Sequence, residues 1–336
     1  MADSKQQWKG WLYLLPAIIM LLIFTVWPLI NTVRIAFLDK YSALGVQGGE
    51  SYPFGVQNFI DVVNYAKFTT CLQNTCLLTV ITVPISCFLA LVIAVVLNSI
   101  PMFSKFFQTV YFLPYVTNAI AIGMVFSVMF NIVGITPVNV AEYTGTLSIY
   151  NTYIDPNTGY TMGYVASSWG IINNLLMSMG LNPVNWLNAG SSYTANIAVM
   201  VIYIVWNSLP FKILILLGGL QSVNKQYYDA AKIDGASKIR VFNHVTVPLL
   251  SPMIAYVVIT GFIGGFKEYS SIIGVFGETM GAPGNAKGLN TIVGFIYDAL
   301  ATDSQGRASS AALILFGIIF AVTMLNMYVS KKKVHY

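Results

Sequence analysis

Six long apolar runs alternate with polar segments along the chain, at 11–37, 72–97, 106–130, 195–219, 249–276 and 308–329. Each is near or above the roughly 20 residues that a helix needs to cross a bilayer. The first is too long for the apolar part of a cleaved signal peptide, and no small-residue cleavage pattern follows it, so it reads as a retained span. Prolines stand at the edges of the runs or inside them: Pro16, Pro28, Pro84, Pro114, Pro210 and Pro252. In a bundle, neighbouring helices and water satisfy the carbonyls that proline frees, and such breaks lie near cavities or hinges.

The polar segments between the runs set the orientation. Ten of the 17 Lys and Arg residues fall in the N-terminus (1–10), the turn at 98–105, the loop at 220–248 and the tail (330–336), against Lys40, Lys67, Lys287 and Arg307 in the alternate segments 38–71, 131–194 and 277–307. The positive-inside rule puts both termini and the 220–248 loop in the cytoplasm. The 132–193 stretch has no Lys or Arg and is rich in Asn, Gly, Tyr, Thr and Ser, as a large outside loop would be. Its 143–168 insertion, with Asp155-Pro156-Asn157 and Asn157-Thr158-Gly159 turn signals, reads as an ordered hairpin or lid.

Composition narrows the class. Of 336 residues, 56% are hydrophobic and only 9% charged, far from the ~25% charged of soluble domains. The expected fold class is an all-α integral membrane protein. The net charge of +5 follows from loop placement and marks no nucleic-acid patch. Three cysteines without a CxxC pair and two histidines, His244 and His335, leave no disulfide framework, metal centre or triad in view. Neither a GxxxxGK[ST] loop nor an HExxH or GxSxG motif occurs, so the chain is not expected to be an enzyme or to hydrolyse ATP by itself.

Two segments carry candidate chemistry. In the cytoplasmic loop, Asn224 is placed to cap a short helix that ends at Gly235, and Ser237 to cap a second one leading to Pro248. Small Ala230 and Ala231 with charged Asp229, Lys232, Asp234 and Arg240 suit close approach of another protein; an ordinary solvated connector is the alternative. In the fifth run, Lys267 and Glu268 share the apolar stretch with Gly261, Gly264 and Gly265, where an unpaired charge costs at least ~2.5–3.5 kcal/mol. Positions 261, 265 and 268 of one helix share a face. That face reads either as a groove with an acceptor for a hydroxyl-rich ligand, or as helix packing with Glu268 paired to Lys267 or Lys212.

The stretch Tyr228-Asp229-Ala230-Ala231-Lys232-Ile233-Asp234-Gly235-Ala236, followed by Phe242, Val245-Thr246-Val247-Pro248-Leu249-Leu250 and Pro252, closely resembles the EAA loop of permease subunits in ATP-binding-cassette importers, carbohydrate-uptake branch, similar to the maltose and multiple-sugar permeases. Leu15-Pro16, Pro28, Phe54 to Phe59, Asn74-Thr75, Leu113-Pro114, Gly170 to Asn173, Trp186-Leu187, Trp206, Pro210-Phe211, Gly219-Leu220-Gln221 and Thr279 to Pro283 follow in the family's order, so the resemblance covers essentially the whole chain. Asp229 stands where the family usually has glutamate, and Ala282 where it has the second glycine of a TxGGP turn.

The resemblance implies a six-helix type I importer permease fold and a multi-pass protein of a bacterial or archaeal cell membrane. It implies that Tyr228, Asp229, Ala230, Ala231, Lys232, Asp234 and Gly235 dock into a separate cytoplasmic ATPase. ATP and Mg would be bound there, with no cofactor in this chain. It implies a solute pocket at Tyr115, Asn118, Ala119, Trp206, Asn207, Ser208, Gly261, Gly265 and Glu268. The implied partners are a second related permease, two copies of the ATPase, an external solute-binding protein, lipid, and a sugar or oligosaccharide. A polyol, glycerol phosphate or sugar acid is the alternative cargo, and a self-sufficient secondary transporter the alternative class, although no doubled segment supports the latter.

Overall fold

The computed structural model describes residues 7–42, 52–100, 109–110, 113, 115–145 and 149–333. Parts of the sequence expectations lie outside the described residues: 1–6 of the N-terminus, 43–51 of the 38–71 segment, 101–105 of the turn, 106–108, 111, 112 and Pro114 of the third run, 146–148 of the insertion, and 334–336 of the tail.

Among the described residues, helices dominate. Four are long and apolar enough to cross a membrane: Gly10–Ala36, Ala66–Asn98, Tyr193–Ser222 and Gln305–Lys331. A bent pair, Lys238–Leu249 with Ser251–Phe266, passes the same test across a 69° bend, and the third run contributes a shorter apolar helix, Ala119–Phe130. In chain order the elements used below are α1 (Gln7–Leu21), α2 (Trp27–Ala36), α3 (Gln57–Asn64), α4 (Ala66–Asn98), α5 (Ala119–Phe130), β1 (Thr136–Asn139), β2 (Tyr150–Ile154), β3 (Thr161–Val165), α6 (Gly170–Ser178), α7 (Tyr193–Ser222), α8 (Lys225–Ile233), α9 (Lys238–Val241), α10 (Ser251–Phe266), α11 (Ser270–Phe276), α12 (Ile292–Ala301) and α13 (Gln305–Lys333).

Two prolines enter their helices through the same device. A five-residue π turn at Leu22–Val26 precedes Trp27-Pro28, and another at Phe242–Thr246 precedes Val247-Pro248. In each, the residue before proline donates five positions back, Trp27 to the Leu22 carbonyl and Val247 to the Phe242 carbonyl. Proline cannot donate and its ring clashes with the carbonyl four residues earlier, so one wider turn absorbs the conflict without ending the helix.

The chain divides into two units, Met1–Cys71 with Ile292–Ile318, and Leu72–Thr291 with Ile319–Tyr336. In the first, buried Asn58 holds the end of α2: its amide donates to the carbonyls of Ala36 (3.2 Å) and Leu38 (2.8 Å), and its oxygen accepts from the Lys40 amide (3.2 Å). Ser310 of α13 donates to the same Ala36 carbonyl at 3.2 Å. Tyr65 and Phe68 pack on Phe295 of α12, with centroids 5.9 and 5.3 Å away.

In the second unit α4, α7 and α10 share an apolar core around Val83, Ala90, Ala94, Leu216, Leu217 and Val257. Here α5 crosses α11 at two glycines: a Cβ on Gly123 would lie 2.6 Å from the Gly274 Cα, and one on Gly274 would lie 2.9 Å from the Gly123 Cα. The segment between α5 and α7 is tied down by asparagines. Asn173 accepts from the Val184 amide (3.0 Å) and the Trp186 indole (2.9 Å) and donates to the Val184 carbonyl (3.0 Å). Asn196 donates to the Trp186 carbonyl at 2.6 Å.

The 143–168 hairpin expectation meets a larger element. β2 and β3 form it, and β1, upstream of the insertion, pairs with β3 as well, giving a three-stranded antiparallel sheet of order β1-β3-β2. The turn is an Asx type: Asp155 accepts from the Asn157 amide (3.0 Å) and the Thr158 hydroxyl (2.9 Å), and Gly159 takes φ +70°. These donors, the Asn157 amide foremost, hold the Asp155 carboxyl below its usual pKa.

The single span expected at 249–276 is divided. α10 ends at Phe266, Lys267 to Tyr269 are not helical, and α11 starts at Ser270. Lys267 and Glu268 close a tight turn on the Gly264 and Gly265 carbonyls, at 3.0 and 3.1 Å. The run at 249–276 therefore supplies a 16-residue helix, a break and a 7-residue helix.

The glycine crossing is testable. Gly274→Val should destabilise the full chain in detergent by about 3 kcal/mol, the upper end of overpacking costs, because backbone atoms face the new side chain. Gly317→Ala, with nothing within 4 Å of its Cβ position, should be neutral or stabilising by up to about 1 kcal/mol. Thermal aggregation midpoints of the two variants check this; similar shifts would contradict it.

Candidate functional site

Helix α4 carries a stripe of hydroxyls through its apolar stretch. Thr75, Thr79, Thr82 and Ser86, spaced four, three and four apart, lie on one face and are all buried. Thr79, Thr82 and Ser86 spend their protons on the carbonyls four residues earlier, at 2.7, 2.7 and 2.6 Å. Their oxygens keep lone pairs for other donors. Opposite Ser86, the buried Lys212 of α7 donates to the Ser86 hydroxyl and, at 3.4 Å, to that of Ser208. Ser208 likewise donates to its own helix, at Val205 (3.0 Å), so both serines can only accept from the ammonium. Pro210, midway in sequence between Ser208 and Lys212, removes the bond to the Trp206 carbonyl.

These groups line a cavity of about 310 Å³ within the second unit, walled by α4, α5, α7 and α10 and the residues just before α5. Of the residues the resemblance assigns to a pocket, Tyr115, Ala119, Asn207, Ser208, Gly261, Gly265 and Glu268 line it. Asn118 and Trp206 do not: the Asn118 side chain caps α5 by accepting from the Ile120 amide at 2.8 Å, and Trp206 packs on Phe126 at 5.2 Å between centroids. Tyr115 stacks on Phe211, centroids 5.7 Å apart and 18° from parallel, so a pair of stacked rings borders the space.

The shared helical face of 261, 265 and 268 is corrected by the break, because Glu268 follows the end of α10. The glycines also serve packing: a Cβ on Gly265 would lie 2.8 Å from Thr79, and one on Gly261 3.1 Å from Val83, whereas Gly264 meets nothing within 4 Å. Glu268 reaches the cavity from the break. One carboxylate oxygen accepts from the amides of Tyr269 and Ser271, both at 3.2 Å, which would otherwise lack helical partners. Its own carbonyl accepts from the Thr291 hydroxyl at 2.8 Å. Among the described residues no ion pair within 4.0 Å joins Glu268 to Lys267 or Lys212. Thr82 and Ser86 line the cavity without having been expected there, and Lys212 and Phe211 line it although the sequence suggests an ion-pair role for the first and only a family motif for the second; the Thr and Ser stripe on α4 is the available signal.

The second candidate surface is the α8–α9 segment. Asn224 caps α8 by accepting from the Gln226 amide at 3.0 Å, and Ser237 caps α9 by accepting from the Arg240 amide at 3.4 Å. Gly235 between them sits at φ +67°, with Ala236 donating back to the Ala231 carbonyl at 3.0 Å. No residue of α8 or α9 is buried. Ile233 and Ile239 are 87% and 75% exposed, and Asp229 pairs with Lys232 at 3.4 Å within α8. In the loop after α11, Ala282 is buried and has no positive φ, so its Cβ causes no strain there.

Residues 76–335 match the family described as "Binding-protein-dependent transport system inner membrane component". The chain is 28% identical over 322 residues to the Arabinooligosaccharides transport system permease protein AraP of Bacillus subtilis, covering 95% of this chain and 88% of that one. It is 27% identical over 321 residues to the Lactose transport system permease protein LacF of Rhizobium radiobacter, covering 95% and 91%. Its fold is similar to a chain in the crystal structure of a bacterial alginate ABC transporter in complex with alginate pentasaccharide-bound periplasmic protein, with TM-score 0.74 at 20% identity, over 99% of this chain and 98% of that one.

The role of Glu268 at the break gives a stability prediction. Glu268→Ala strands the Tyr269 and Ser271 amides, at about 1–3 kcal/mol for unsatisfied buried donors, whereas Glu268→Gln keeps an acceptor oxygen and should lose less than half as much. Thermal unfolding of the solubilised chain checks this. Equal losses would mean that the carboxylate does not fasten the break.

Proposed function

Because the chain belongs to the family of binding-protein-dependent transport system inner membrane components, we propose that it forms the transmembrane path for a saccharide in an importer driven by a separate cytoplasmic ATPase. The observation that carries this reading is the cavity, where hydroxyls, an amide, an ammonium and a carboxylate stand beside two stacked rings between apolar helices. Sugars present hydroxyls to polar groups and C–H faces to aromatic rings. The sugar-permease names of the curated relatives agree with this chemistry.

On this reading the exposed α8–α9 segment is the coupling element. Ala230 and Ala231 allow close approach to the ATPase, Tyr228, Asp229, Lys232 and Asp234 surround the contact, and Gly235 turns the chain. ATP and Mg bind to the ATPase, not to this chain. The remaining partners are a second related permease, a second ATPase copy and an external binding protein that delivers the solute. Both termini and α8–α9 face the cytoplasm, and the three-stranded sheet faces outside, following the distribution of Lys and Arg.

Ala231→Arg should leave membrane yield near normal and abolish most solute-stimulated ATP hydrolysis by the assembled importer, because it acts on an aqueous segment. Full stimulated hydrolysis would overturn the coupling assignment. Gly264→Leu, which fills open space and avoids the packed glycines, should cut uptake at least tenfold while the binding protein keeps its affinity. Normal uptake would remove the cavity from the path.

The orientation has its own test. In intact cells a cysteine at Thr158 should react with an impermeant thiol reagent, and one at Ser237 only after permeabilisation. The reverse pattern would invert the topology.

A further inference from the structure

Lys212 is 5% exposed in the middle of α7 and bonds only neutral hydroxyls among the described residues, those of Ser86 and Ser208. An ammonium has three donors and no acceptor, so two serines leave one N–H over. A Cβ on Gly261 would lie 3.7 Å from its Nζ, so the bare glycine backbone leaves the ammonium bordering the cavity that both residues line. Glu268 borders the same cavity from the break between α10 and α11. Its two amide donors and the Ser271 hydroxyl occupy part of the roughly four lone-pair sites of a carboxylate.

The cavity thus holds a cation and an anion on different elements, not paired with each other. Each favours partners of opposite charge and repels its own sign, at short range in a poorly screened site. A cationic solute meets Lys212, and an anionic solute meets Glu268. A neutral polyhydroxylated solute satisfies both at once, accepting from Lys212 through a hydroxyl oxygen and donating to Glu268 through a hydroxyl proton. Such charge-assisted bonds are about twice as strong as neutral ones.

We propose that Lys212 is a specificity-determining residue of the path: opposite Glu268, it makes the cavity selective for uncharged polar solutes and bars cationic ones. This rests on the cavity being the solute path, and the test separates the two. In the full chain, in membranes of cells carrying it, a cysteine replaces Gly264, whose Cβ position is open. Its labelling is followed with the hydroxyethyl (neutral), trimethylammonioethyl (cationic) and sulfonatoethyl (anionic) methanethiosulfonates. Each rate is normalised to the same reagent's rate with a small free thiol, and the reaction of Cys71, Cys76 and Cys87 in the chain without the new cysteine is subtracted.

The neutral reagent should be the least retarded. Lys212→Met should speed the cationic reagent about tenfold, the lower end of the effect of a local charge on encounter, without speeding the anionic one. Glu268→Gln should do the opposite, and Lys212→Arg should keep the parent order. Lys212→Gln gives the same reading if the Met variant fails to reach the membrane. A cationic reagent as slow in Lys212→Met and Lys212→Gln as in the parent overturns the proposal and leaves the path standing. Failure of the neutral reagent to label Gly264→Cys in every variant overturns the path itself.

Discussion

A bilayer offers no water to an unpaired amide or carbonyl, so every interruption of a spanning helix has to be satisfied from within the protein. The interruption at Lys267 to Tyr269 is the point on which the rest turns. Glu268 covers the amides that start α11, Thr291 covers the Glu268 carbonyl, and Asn74 donates to the carbonyls of Gly288 and Asn290 at 3.0 and 2.9 Å, fixing the loop that delivers Thr291. With the break secured, α11 can turn onto α5 at the Gly123–Gly274 crossing, and a carboxylate is left at the cavity wall. One side chain thereby fastens the fold and faces the space in which chemistry can occur.

The wall opposite is built by the same economy. The hydroxyls on α4 satisfy themselves on their own helix and keep only lone pairs to offer, which is what a lysine needs inside a membrane. A carboxylate neighbour would have neutralised Lys212. Two serines hold it in place while leaving its charge to act on whatever enters. The glycines of α10 divide the work, with Gly261 and Gly265 admitting α4 closely and Gly264 leaving room.

Much of this was legible in the sequence, and the reasons differ by element. Runs of apolar residues mark the helices because lipid accepts nothing else, and Asn224, Gly235 and Ser237 mark the α8–α9 turn because caps act locally. The Asp155 turn was visible for the same reason. β1 was not, since its pairing with β3 joins residues far apart and leaves no local trace. The break in the fifth run was hidden because Gly264 and Gly265 fit an intact helix as well as a turn. Asn118 and Trp206 fell in the right neighbourhood and face elsewhere, as only side-chain packing could decide. Lys212 reads from the sequence as a possible ion-pair partner, whereas its acceptors are hydroxyls, Ser86 from the countable stripe on α4 and Ser208 one turn back on its own helix.

The α8–α9 segment joins the cavity through continuous backbone, by the π turn at Phe242–Thr246 and the 69° bend before α10. The claim that ties these parts together is that a saccharide passes through the cavity between Lys212 and Glu268. The most direct measurement is an experimental structure of the assembled importer, trapped with an ATP analogue while its binding protein delivers a saccharide. Sugar density is expected within hydrogen-bond distance of the Lys212 ammonium and the Glu268 carboxylate, with a ring against Tyr115. A saccharide held elsewhere in the membrane region, with Lys212 and Glu268 paired to each other or packed over by side chains, would contradict it.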